Sequence, residues 1–110
     1  MRKQTFYRCV RLSEKGNIVA LKTYGYSDGD IGLHKDDGIW YATYIPNGGL
    51  LTPRKSRNNT AKAALAEAKR VISDRKNFEQ DVRKFENSWI YKDFAKSKYE
   101  QSVTTVFGGS

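Results

Sequence analysis

The chain has one cysteine, Cys9, so no internal disulfide can staple it. It has one histidine, His34, which excludes the usual Cys/His zinc spacings and any second His-based dyad for a nucleophile. No apolar run approaches the roughly 20 residues of a membrane span. The opening Met1-Arg2-Lys3 is followed by no apolar stretch, which reads as no signal peptide. Asp28-Gly29-Asp30 lacks the other ligands of a calcium loop, and no Gly-Lys-Ser/Thr follows Gly48-Gly49. No carboxylate pair stands out as acid and base. The expectations are a cytoplasmic protein that is not an enzyme and takes no metal or cofactor. His34 is expected to be an exposed loop residue, and Cys9 a small core residue within a strand.

Aromatics are not scarce. At 13% of 110 residues they argue against wholesale disorder, and the length suits a single domain over residues 1–107. Gly108-Gly109-Ser110 reads as a flexible tail or an added scar. The expected fold is α+β: a three- or four-stranded antiparallel sheet, about 5–52, followed by a long C-terminal helical part, about 60–98.

Thr5 to Leu12 and Ile18 to Tyr24 are rich in aromatic and branched residues around the turn Ser13-Glu14-Lys15-Gly16-Asn17, which predicts a hairpin. Ile39 to Ile45 predicts a third strand, and Leu50-Leu51-Thr52 a short fourth. The acidic stretch Ser27 to Asp37 between them reads as a loop. Parity puts Trp40, Ala42 and Tyr44 on one face of the third strand and Ile39, Tyr41, Thr43 and Ile45 on the other, without deciding which face takes the helix.

No glycine or proline interrupts Thr60 to Phe107. Thr60 is the expected N-cap, and Ala64, Ala68, Val71, Phe78, Val82, Phe85 and Trp89 fall on one helical arc. A single helix from Thr60 to Ser97 would reach about 57 Å at ~1.5 Å per residue, too long for a small sheet. A break near Asp74 is therefore expected, with Asn77 a second cap candidate. Phe78, Val82, Phe85 and Trp89 are the candidate partner-binding residues: they fold back on the sheet or form a dimer seam. Val103 to Phe107 reads as a terminal strand or a disordered end.

Positive charge is concentrated. Of the formal net +8, the window Thr52 to Lys76 carries +6: eight basic residues face only Glu67 and Asp74. Such regional charge points to an acidic partner, nucleic acid first. Arg54, Lys55 and Arg57 enter the helix N-terminus, where guanidinium, backbone N–H groups and dipole all favour an anion. Lys62, Lys69, Lys76 and Arg83 recur every seven residues along one helix face. Arg54, Lys55, Arg57, Lys62 and Lys69 are the candidate phosphate contacts, placed at the helix entrance and away from the acidic stretch.

The segments Tyr7 to Leu12 with Gly16, Trp40 to Thr43 and the Thr60-capped helix together resemble two DNA-reading modules. These are the N-terminal arm-binding domains of phage integrases and the plant AP2 domain. The resemblance covers roughly residues 5–72 and departs at Ser27–Asp37, which is longer and acidic. It implies a sheet in the major groove, with Arg8, Arg11 and Lys22 reaching bases. The leading expectation is thus a small nucleic-acid-binding protein for DNA or RNA. The alternatives are a protein-binding inhibitor or adaptor, such as a phage-encoded, anti-CRISPR-type inhibitor of a host nuclease or anti-phage nucleoprotein complex, and a self-associating structural protein.

Overall fold

The computed structural model describes residues 1–12 and 16–108, with side chains placed for 1–12 and 16–103. Ser13, Glu14 and Lys15 of the expected first turn, and Gly109-Ser110 of the expected tail, lie outside the described residues. Five strands, β1 (Arg2–Arg11), β2 (Ile18–Asp28), β3 (Ile31–Asp36), β4 (Ile39–Tyr44) and β5 (Gly49–Leu50), precede three helices, α1 (Ala61–Ser73), α2 (Arg75–Glu86) and α3 (Trp89–Gly108). The strands form one antiparallel meander in sequence order. The fold is α+β as expected, with five strands rather than three or four.

The extra strand is β3, cut from the stretch read as a loop. Two tight turns bound it, Gly29-Asp30 (Gly29 φ 59°) and Asp37-Gly38 (φ 49° and 78°). Asp37-Gly38 is a strong hairpin signal, because both central residues of such a turn need positive φ, while Gly29 supplies positive φ at the first central position of the other turn. The acidity of the stretch belongs to its turns. Ile31 and Leu33, 6% and 0% exposed, belong to the core.

The sheet curls. The Cys9 N–H donates to the Gly48 carbonyl at 2.9 Å, bringing the end of β1 to the turn before β5. Gly48 (φ 73°) sits there because Phe94 of α3 fills the space its side chain would need: a Cβ would stand 2.5 Å from the Phe94 ring. Phe94 is 2% exposed and joins Ile18 and Ala20 in one apolar cluster, with Tyr7, Cys9, Ile90 and Tyr91 around it. Burial also raises the Cys9 thiol pKa, which keeps it protonated.

The helices cover one face of the sheet. Ala64 and Ala68, both fully buried, let α1 lie close on Leu33 and Ala42, with Trp40 and Tyr44 at the margin. Trp40, Ala42 and Tyr44 therefore face the helices. Thr60 caps α1, its hydroxyl accepting from the Ala63 N–H at 3.1 Å. The chain breaks at Asp74, as the length argument requires, but Asp74 rather than Asn77 stands before α2; Asn77 Nδ2 donates to Asp74 Oδ2. A second break falls at Asn87-Ser88, where the Ser88 hydroxyl accepts from the Tyr91 N–H at 3.3 Å and starts α3. Helix α3 then runs through Val103 to Phe107, in place of the expected terminal strand.

One contact explains why α3 lies where it does. β3 pairs only with Tyr26 to Asp28, so β2 has an open edge near Ala20. Ser97 Oγ accepts from the Ala20 N–H at 3.0 Å, and Gln101 Nε2 donates to the Ala20 carbonyl at 2.6 Å. Side chains of α3 thus satisfy backbone groups that would otherwise present a bare strand edge.

Candidate functional site

The curl leaves a concave inner face opposite the helices. The register places Phe6 with Thr23 and His34 with Tyr41 on that face. Gly32 is the floor under Phe6, since a Cβ there would stand 2.8 Å from the ring. At the mouth is an open cleft of about 620 Å³, lined among others by Arg8, Arg11, His34, Asp36, Tyr41 and Arg54.

Arg8 is held from below. Its Nε donates to the Thr23 hydroxyl at 2.8 Å, and that hydroxyl donates to the Leu21 carbonyl at 3.0 Å. Burial lowers the Arg8 pKa and the charge of Asp36 opposes the shift. The guanidinium remains cationic, because arginine does not deprotonate in proteins. His34 stacks on Tyr41, centroids 5.5 Å apart and planes at 24°, and meets Phe6 edge-on at 6.5 Å. His34 is 4% exposed, and neither ring nitrogen has a hydrogen-bond partner among the described residues. Burial first, then the charge of Arg8, lowers its pKa to about 4 against the pull of Asp36, so the ring is neutral at physiological pH. It is a buried strand residue, not the exposed loop residue expected, because β3 exists.

Arg54 reaches the cleft from a clamped loop. The Asn58 carbonyl accepts from the Trp40 N–H at 2.8 Å, and Glu67 of α1 accepts from Ser56 Oγ at 2.6 Å and Asn58 Nδ2 at 3.4 Å. Glu67, one of two acidic residues in the basic window, thus fastens the loop that carries Arg54, Lys55 and Arg57. Arg57 itself donates to the Ser56 carbonyl.

The structure divides the sequence-chosen cations. Arg8 and Arg54 meet at one cleft; Arg11 lines its rim from the end of β1, where its pairing with Ile18 puts it on the other strand face from Arg8. Lys62 and Lys69 are on α1, against the opposite sheet face, and Lys69 pairs with Asp28 at 3.5 Å between exposed side chains. The stripe from Lys62 to Arg83 is interrupted by the break at Asp74, so it is no continuous helix face. Asp36 lines the same cleft as Arg54, so the acidic stretch is not remote from the basic loop. Arg8 and Lys22 lie on opposite faces of the β1–β2 hairpin, which a single base-reading face as in the integrase and AP2 modules does not allow.

Phe78 packs edge-on to Tyr44 at 5.1 Å and Phe85 to Tyr91 at 5.7 Å. With Val82 they line an apolar groove of about 240 Å³ beside β5, while Trp89 stays 54% exposed near Gly16. His34, Asp36 and Tyr41 were missed as site residues. The signal available was the two glycine-containing turns, Gly29-Asp30 and Asp37-Gly38, which define β3 and so put His34 and Tyr41 side by side.

The fold and site define a small α+β protein whose curled sheet holds an arginine-lined cleft. No helix is long and apolar enough to cross a membrane among the described residues. No protein-family model, curated protein or solved structure matches the chain.

Proposed function

We propose that this is a small, non-catalytic nucleic-acid-binding protein that takes phosphates at the mouth of the cleft. The observation that supports this reading is the convergence of Arg8 of β1 with Arg54 of the clamped loop, distant in sequence, around one aromatic-floored cleft with Arg11 at its rim. Guanidinium groups favour phosphate through paired N–H donors; Arg8 is fixed and half-buried, which limits screening, while Arg11 and Arg54 are exposed. Lys55 and Arg57 extend the basic loop beyond Arg54. Lys62 and Lys69 lie across the sheet and provide the natural comparison.

Binding of a labelled oligonucleotide, followed by fluorescence anisotropy against salt, tests the reading. Each phosphate contact contributes about 0.7–0.9 log units of affinity per log unit of salt. Arg11→Ala/Arg54→Ala is expected to weaken binding at least tenfold and to flatten the salt slope by about 1.5. Lys62→Ala/Lys69→Ala is expected to change both much less. Equal losses from the two pairs would remove the cleft from the account, and no binding by DNA or RNA would end it.

The protein-binding alternative has its own supporting observation, the groove of Val71, Phe78, Val82 and Phe85 with Leu50 47% exposed beside it.

A further inference from the structure

We infer that the cleft takes one unpaired nucleotide, so that the protein prefers single-stranded or overhanging ends to blunt duplex. The inference rests on the nucleic-acid reading and adds the form of the ligand.

Size comes first. The cleft, about 620 Å³, is within the range of sites that enclose small molecules, roughly 300–1,000 Å³. It lies inside the curl of a molecule measuring 40 × 29 × 28 Å. A duplex can meet its rim through phosphates but cannot enter. A nucleotide turned out of the stack can.

The lining follows the parts of a nucleotide. Arg11 and Arg54 are exposed cations at the mouth, suited to phosphate. Tyr41 is half-buried in the wall with His34 stacked behind it, so an aromatic surface is held rigid where a base would lie. Such stacking contributes about 1–3 kcal/mol per base and tolerates any base. Beside them the exposed Asp36 carboxylate accepts hydrogen bonds, and the half-buried Arg8 donates them; of the Arg8 nitrogens, only Nε is engaged among the described residues.

His34 is the independent observation. Buried polar atoms without partners are rare and cost stability. Both His34 ring nitrogens are in that state at the cleft wall. A neutral imidazole offers one donor and one acceptor, the complement of a base edge or a ribose hydroxyl. These nitrogens have almost no accessible surface, so a polar ligand supplies their partners only by displacing the side chains that cover them.

The test uses DNA and RNA strands of about 12 nucleotides, each as a single strand, a blunt duplex and a duplex with a short overhang. Single strand and overhang are expected to bind at least tenfold more tightly than blunt duplex. Tyr41→Leu is expected to lower single-strand affinity about tenfold and leave duplex affinity unchanged. Equal binding of all three forms, weakened by Arg11→Ala/Arg54→Ala but not by Tyr41→Leu, overturns the inference and leaves the phosphate reading intact. No binding of any form overturns both. Should Tyr41→Leu fail to fold by circular dichroism, the wild-type His34 ring resonance decides. A shift with single strand and none with blunt duplex supports the inference, and the same shift or none with both overturns it.

Discussion

Replacing Phe94 with alanine is expected to destabilise the protein by about 3–5 kcal/mol, the range for removing a buried phenylalanine. Against a typical domain stability of about 5–15 kcal/mol, that is a large share. The residue is 2% exposed, and its ring lies against Gly48 at the point where β1 meets the turn before β5. Its loss therefore acts on the curl as well as on the core, and a binding defect is expected beyond the loss of folded protein. Gly48→Ala reaches the same point from the other side, with a Cβ 2.5 Å from the ring and a backbone at φ 73°. Urea unfolding of both variants checks this. A loss under 1 kcal/mol in either would mean that α3 does not pin the curl.

The second large effect is acid sensitivity from His34. Its pKa falls from 6.5 in the unfolded chain to about 4 in the fold, chiefly through burial. Between those values the unfolded chain binds a proton that the folded imidazole does not. Stability therefore falls as pH drops through 6.5, and this contribution is complete once pH is below about 4. The whole difference amounts to about 3 kcal/mol. His34→Phe keeps the stack on Tyr41, removes the titration and removes two unpartnered nitrogens. Carboxylates titrate in the same region, so the informative quantity is wild type minus variant. Urea unfolding at about pH 7 and about pH 4 is expected to show that difference moving by about 3 kcal/mol against the wild type on acidification. Parallel losses would mean that His34 titrates normally.

Much of the helical half was legible because its signals are local. The Thr60 cap followed by an alanine-rich turn marks the start of α1, and a length argument required the break at Asp74. The break at Asn87-Ser88 was missed because it contains no glycine or proline; Ser88 acts through its hydroxyl alone, which donates to the Phe85 carbonyl and accepts from the Tyr91 N–H. β3 was hidden by its acidic flanks, although the two glycine-containing turns that bound it carry turn geometry in their residue types. The extent of α3 depends on non-local contacts, Ser97 and Gln101 on the Ala20 backbone and Phe94 under Gly48. The site was legible only in pieces. Arg8, Arg11 and Arg54 were chosen for their charge, but nothing local says that curling brings positions 8, 34, 41 and 54 together. The lysines of α1 have the same charge and ended on the other face.

The central claim is that a nucleic-acid strand occupies the cleft, and His34 reports on it directly. It is the only histidine in the chain, so its ring gives one identifiable resonance. Adding a single-stranded oligonucleotide to labelled protein is expected to shift that resonance in proportion to binding. The shift should vanish in Arg11→Ala/Arg54→Ala, while Lys62 and Lys69 on the opposite face stay unmoved. Saturable binding that leaves His34 unchanged and shifts the α1 lysines would contradict the account.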